Sequence, residues 1–221
     1  MNLALFDLDH TLLPIDSDYA WGEFTNRIGW TDPVLFKSKN DQFYADYLAG
    51  ALDIHDYVRF ATESVRLRGA EAAAKAHAQF MKEIILPQIK PQALDLVKTH
   101  QAAGDHVMIV TATNEFVTRP IAQAFGVQEL IAVELARDSE GWITGEISGV
   151  PSFKEGKVLR VEQWLSAHQK NWQDVQITFY SDSINDLPLL EQAQIPVAVN
   201  PDTRLRQLAT DRGWRILQLF S

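Results

Sequence analysis

Leu3-Ala4-Leu5-Phe6-Asp7-Leu8-Asp9-His10-Thr11 begins as an apolar run and ends in two carboxylates two residues apart. A buried strand does not carry charge without partners, so the acids mark its end. In α/β sheets ligands gather at the carboxyl ends of strands, which is where this pair falls. Alternation along an extended chain would send Asp7 and Asp9 to opposite faces, so the backbone is expected to bend into a loop after Asp7. Taken alone, Asp9 also reads as a residue that caps a turn or helix.

Further apolar runs lie at residues 106–111, 177–181 and 196–199, and with residues 3–8 they read as buried strands of a parallel sheet. Helical patterns separate most of them. One starts at Pro91, places Leu94 and Val97 three apart and stops near Gly104. Another carries Val158, Val161 and Leu165 on one face, and a last one runs through Leu205, Leu208 and Ala209 to Gly213. Alternating strands and helices predict an α/β fold, a Rossmann-like parallel sheet with helices on both faces. Residues 15–88 break the alternation, with much helical pattern and no convincing strand, so they are expected to form an inserted all-helical cap. The core is then residues 1–14 and 89–221. Residues 130–136 and 142–147, flanking Asp138-Ser139-Glu140-Gly141, read as a β-hairpin.

Three more strand or helix ends carry chemistry. Tyr180-Ser181-Asp182-Ser183-Ile184-Asn185-Asp186 adds carboxylates to the same sheet edge. Carboxylates packed together repel unless a cation sits among them, and oxygen ligands without His or Cys suit magnesium better than zinc. Thr111, in Val110-Thr111-Ala112-Thr113-Asn114, offers a hydroxyl, and the amides after it, Ala112 to Asn114, could hold an anion where the next helix begins. Thr111 or Thr113 serves equally as an ordinary helix cap. Lys157, just after Gly156, sits against the dipole of a helix N-terminus, which an anion would relieve; Lys154 competes for that role, and a solvated lysine is the commoner case.

In this order the four elements resemble the haloacid dehalogenase superfamily, in its phosphoserine-phosphatase-like branch. Asp7-Leu8-Asp9-His10-Thr11 is similar to its first motif, Thr111 to its second, Lys157 to its third, and Ser181 to Asp186 to its fourth. The resemblance implies a phosphatase. Asp7 would attack phosphorus to give an aspartyl phosphate, and Asp9 would protonate the leaving oxygen and then activate water. Magnesium would be held by Asp7, the Asp9 carbonyl and Asp182; Thr111, Ala112, Asn114 and Lys157 would bind the phosphoryl oxygens. Asn185 and Asp186 would orient the metal shell and Lys157. The carboxylate at Asp9 argues against a dehalogenase or phosphonatase.

The family's cap selects the substrate. Asp16 stands where phosphoserine phosphatases resemble it with a glutamate that contacts the substrate amine, although Asp16-Ser17-Asp18 is also a good N-cap for the helix that follows. The stretch expected to supply an arginine for a substrate carboxylate offers only Arg59, in an unmatched context. A small phosphate monoester bearing an amine or amino alcohol follows, such as histidinol phosphate or phosphocholine, ahead of phosphoserine. A phosphotransferase or phosphomutase would share the motifs, a phospholipid phosphatase would lack its membrane segment here, and a non-catalytic binding module would have no use for Asp7 beside Asp9.

Composition narrows the classes further. The 221 residues hold no cysteine, hence no disulfide or thiolate zinc site, and the formal net charge is −9 with the acids scattered, which speaks against a general nucleic-acid or anionic-membrane surface. The six Trp and eleven Phe point to a well-filled core. No run has the length and apolarity of a membrane span or leader, so a cytoplasmic protein is expected.

Overall fold

The structure is a computed structural model that describes residues 1–220. Its centre is a six-stranded sheet in the order β3-β2-β1-β6-β7-β8, with every neighbouring pair parallel. The strands are β1 (Asn2–Phe6), β2 (His106–Asn114), β3 (Glu129–Val133), β6 (Gln176–Ser181), β7 (Ile195–Val199) and β8 (Arg215–Leu217). Period-two alternation divides β1 between two cores: Leu3 and Leu5 join one buried cluster, Ala4 and Phe6 the other. The first is covered by α6 (Glu155–Ala167), α7 (Leu187–Gln192) and α8 (Thr203–Asp211), through residues such as Val161, Leu189 and Leu205. The second is covered by α4 (Pro91–Ala102) and α5 (Glu115–Ala124), through Val97 and Ile121. Helices therefore lie on both faces, as the alternation predicts. Of the tryptophans only Trp21 is among the fully buried side chains.

Three helices stand between β1 and β2: α1 (Ser17–Arg27), α2 (Pro33–Ala49) and α3 (Ile54–Phe80). Asp32 and Asp53 cap α2 and α3 with hydrogen bonds to main-chain amides, and Gly50 ends α2 in the left-handed region at φ 72°. At Gly69 α3 kinks, and a π-helical turn at Met81–Ile85 ends it. Among the described residues this insertion contains no strand.

The expected hairpin needs correction. Residues 130–133 belong to β3, which pairs with β2 in the central sheet. The hairpin is only β4 (Leu135–Arg137) with β5 (Ile143–Ile147), which pack beside α3. β8, not foreseen in the sequence, adds an edge beside β7.

From β1 the chain crosses first to β2 and β3 on one side, and later to β6, β7 and β8 on the other. The order reverses beside β1, and at such a switch point a crevice opens at the carboxyl ends of the strands. Asp7 and Asp182 directly follow β1 and β6, and Thr111 lies in the carboxyl-terminal half of β2, all at that crevice. Core side chains reach from it to α2: Asn185 donates to the Tyr47 carbonyl at 2.9 Å, Arg204 to the Leu48 carbonyl at 2.8 Å, and Lys154 to the Gly50 carbonyl. These donors meet carbonyls at the end of α2, of which that of Tyr47 also accepts the Gly50 N–H at 3.0 Å. No helix of the described residues is long and apolar enough to cross a membrane.

Candidate active site

The chain leaves β1 at Asp7, whose main-chain N–H still donates to the Tyr180 carbonyl at 2.9 Å. That last rung fixes the backbone before it bends, and Asp7 is 7% exposed. Lys157 reaches it from the first turn of α6. Gly156 makes this possible, because a Cβ there would stand 1.9 Å from the Pro151 carbonyl oxygen. Lys157 is 1% exposed and is no solvated lysine: its Nζ donates to Asp7 Oδ1 at 2.8 Å and to Asp186 Oδ2 at 2.7 Å. The Ser181 hydroxyl also donates to Asp186 Oδ2, at 2.7 Å. Lys154, the competing lysine, points to Gly50 instead.

One ammonium among several acids sets the electrostatics. Burial pushes Asp7 up to about 7; Lys157 opposes the rise, and Asp186 and Asp9 add to it. Burial works against the charge on Lys157, but Asp186 and Asp7 outweigh it and hold its ammonium above the ordinary lysine value.

Asp9 ties the end of β2 to the start of α1. Its Oδ1 accepts from the Ser17 N–H at 2.7 Å and its Oδ2 from the Thr113 hydroxyl at 2.9 Å. Loss of solvent, then the Asp16 charge, raise it to about 6, against the pull of the Ser17 hydrogen bonds. Asp9 is thus tied to both sides of the crevice and is no simple turn cap. Thr111 is 1% exposed, and its hydroxyl accepts from the Thr113 N–H at 3.1 Å. Neither threonine caps a helix: β2 runs on to Asn114, whose side chain accepts from the Val117 N–H at 3.2 Å and caps α5. Thr111, Ala112 and Thr113 line one cavity with Asp7, Asp9 and Asp182. Asn114 lies just behind, donating to Asp18 Oδ1 at 3.3 Å. Asp186 holds Lys157, as expected, whereas the side-chain amide of Asn185 is turned to the Tyr47 carbonyl and serves the contact with α2.

The opposite wall comes from the inserted helices. Asp16 caps α1, accepting from the Tyr19 N–H at 2.8 Å, and also lines the cavity. Asp18, legible in sequence only as part of a cap, is 5% exposed and lines the cavity together with Tyr57. Burial first, then Asp16, push it up to about 7. Asn40, Phe43, Tyr44 and Tyr47 form one face of α2 toward the cavity. Their spacing of i, i+3, i+4 and i+7 was the available signal. Arg59 is elsewhere, on the surface between Asp56 and Glu146. Among the described residues no lysine or arginine lines the cavity.

The donor set suits magnesium. Asp7 and Asp182 offer carboxylate oxygens and Asp9 a carbonyl, all hard ligands. Asp182 has the Thr11 hydroxyl at 3.3 Å and no ion-pair partner among the described residues. Burial, then Asp7 and Asp186, hold it well above the ordinary aspartate value, which a divalent cation would reverse. Among the described residues no three or more His, Cys, Asp and Glu side chains are grouped to hold an ion by themselves. Magnesium does not require that, because it retains several waters and is bound through one or two carboxylates.

The model of the haloacid dehalogenase-like hydrolases matches residues 4–191. A histidinol-phosphatase of Neisseria meningitidis serogroup C (strain 8013) is 42% identical over 217 residues, 98% of each chain. The crystal structure of a Bordetella pertussis Tohama I protein of unknown function superposes with a TM-score of 0.93 at 47% identity, covering 99% of both chains. A substrate-bound phosphoserine phosphatase superposes at 0.65 over 97% of this chain and 91% of its own; at 17% identity that likeness is one of fold.

Proposed function

We propose, for a chain that belongs to the haloacid dehalogenase-like hydrolase family and is a phosphatase, that its substrate is a small phosphomonoester carrying a cationic nitrogen, histidinol phosphate first among them. The observation that carries this reading is the charge of the cavity. Asp16 and Asp18 line the cavity, and among the described residues no lysine or arginine lines it with them. An ammonium satisfies that wall. The carboxylate of phosphoserine would meet two acids and no cation, a like-charge encounter in a shielded site. The relative from Neisseria is itself a histidinol-phosphatase.

In the proposed reaction Lys157 holds Asp7 Oδ1, and Oδ2 attacks phosphorus in line with the ester oxygen. The P–O bond to the leaving alcohol breaks as Asp9 gives that oxygen a proton. Its value of about 6 keeps a proton within reach near neutral pH. The product on Asp7 is an acyl phosphate. Asp9, now ionised, takes a proton from water, which attacks phosphorus, breaks the bond to Asp7 and frees inorganic phosphate. Thr111 and the main chain at Ala112 bind phosphoryl oxygens, and Lys157 offsets the charge spreading over them. Bound magnesium, held by Asp7, Asp182 and the Asp9 carbonyl, would neutralise part of the phosphoryl charge. Asp186 and Ser181 keep Lys157 aimed at Asp7.

The test is phosphate release from histidinol phosphate and from p-nitrophenyl phosphate, with magnesium and with EDTA, for wild type and Asp7→Asn. Asp7→Asn lowers kcat by about 10⁴-fold or more on both esters, as loss of a nucleophile does. EDTA silences the wild type and magnesium restores it. Activity retained by Asp7→Asn with an unchanged melting temperature would refute the covalent route.

A further inference from the structure

The organic half of the cavity is graded along α1, resting on the amine-substrate reading above. Asp18 and Gly22 are one turn apart on that helix, about 6 Å along its axis. At Gly22 a Cβ would meet Phe36 Cε1 at 2.7 Å and Asn40 Nδ2 at 3.0 Å, so the glycine lets α2 close on α1 and sets Asn40 there. Asn40 is 3% exposed, and its Nδ2 has no hydrogen-bond partner among the described residues. A buried amide donor left unmatched is costly, and Asn40 is one of the residues that line the substrate cavity. Beside it Phe43 and Tyr57 meet edge to face, with ring centroids 5.4 Å apart, and form an aromatic wall. Asp16 accepts the Tyr19 N–H as the cap of α1, whereas Asp18 caps nothing and accepts from the Asn114 side-chain amide.

We infer that Asp18 and Asn40 divide substrate recognition: Asp18 binds the ammonium nearer the phosphate, and Asn40 donates to a hydrogen-bond acceptor on a flat ring about one helical turn further out. The substrate class is thus narrower than phosphorylated amines. It is a phosphomonoester with an ammonium and, two or three bonds beyond it, an aromatic nitrogen heterocycle with a free acceptor. The aromatic wall takes the ring face or edge, and Asn40 distinguishes this ring from a plain hydrocarbon one.

Three esters separate the roles: histidinol phosphate with both groups, O-phosphoethanolamine with the ammonium alone, and p-nitrophenyl phosphate without ammonium. For Asn40→Leu, with Asn40→Ala as the smaller companion, the kcat/KM ratio of histidinol phosphate to O-phosphoethanolamine falls about 3- to 10-fold, chiefly through KM, the effect of one neutral hydrogen bond. For Asp18→Asn, the ratio of each amine ester to p-nitrophenyl phosphate falls about 30-fold or more, as expected when a shielded charge loses its partner. A ratio unmoved by both Asn40 variants, or by Asp18→Asn, overturns this inference alone. Wild type that turns over p-nitrophenyl phosphate but neither amine ester overturns the amine-substrate reading and this inference with it.

Discussion

The two walls of the cavity are built on opposite terms. On the core wall, Asp7, Lys157, Asp186 and Ser181 close a chain of hydrogen bonds that is complete within the protein. On the wall from α1 and α2, Asp18 faces neutral donors and Asn40 has an amide without a partner. The first wall positions groups for a reaction common to many phosphate esters, so its geometry is set in advance. The second has to be finished by one particular ligand, and groups left unmatched penalise any ligand that fails to match them. The Lys157 bridge is thus satisfied within the protein, whereas Asp182 beside it lacks an ion-pair partner and Asn40 on the other wall lacks a hydrogen-bond partner among the described residues.

The sharpest way to break this contrast is Lys157→Met. It leaves Asp7 and Asp186 buried together without their cation, costing about 3 to 5 kcal/mol of stability. The rate falls about 10²- to 10³-fold on every ester, because the lost interaction is with the phosphoryl group. Urea unfolding and kcat on two unlike substrates measure both; a loss confined to histidinol phosphate would erase the distinction between the walls. Gly22→Ala tests the second wall. Alanine gains about 1 kcal/mol in helix propensity, but crowding of Phe36 and Asn40 costs about 1 to 3 kcal/mol. The expected net is a loss of up to about 2 kcal/mol, with KM for histidinol phosphate raised more than KM for p-nitrophenyl phosphate. Equal rises would mean that α2 moves as a whole and that the position of Asn40 is not special.

The smallest effect lies on the seam between insertion and core. His77 of α3, 6% exposed, stacks on Trp21 and has its Nε2 3.1 Å from the Val117 carbonyl of α5. Burial lowers its proton affinity below the ordinary value of 6.5, despite that hydrogen bond. The unfolded chain therefore takes up a proton more readily than the native one. The stability that depends on neutral His77 is full above pH 6.5 and is lost as pH falls through it. Thermal melts followed by tryptophan fluorescence between pH 8 and 5 show this slope. His77→Gln removes this contribution, while Asp7, Asp9 and Asp18, whose values are raised, act in the opposite direction over this range; a pH dependence unchanged by the substitution would refute the His77 assignment.

Much of the core wall was legible before folding because each of its residues sits at the end of an apolar run or in the first turn of a helix. Asp7, Thr111, Asp182 and Lys157 carry that mark. The contact of Lys157 with Asp186 was expected only through the family resemblance, since the residues alone make a solvated lysine the commoner case until the turn at Gly156 packs on Pro151. Asn185 shows the reverse: its motif suggested the metal shell, yet its side chain is drawn to the end of α2. The split of residues 130–137 between β3 and β4 was equally hidden, because one β-prone run satisfies either partner until β2 claims its first half.

Local sequence settled the α/β alternation, the helical insertion and the carboxylates at the first strand end. Hydrophobic period, caps and strand-end acids are properties of neighbouring residues, and neighbours are what a sequence lists in order. The Lys157 bridge, the correction at Asn185 and the pocket of Asp18, Asn40 and Tyr57 depended on packing. Each joins residues far apart in the chain: Lys157 meets Asp7 across 150 positions, and Asn185 meets Tyr47 across 138. Contacts of that range arise when helices and strands dock and exclude water. Whether an amide or carboxylate ends up partnered is therefore a property of the docked fold.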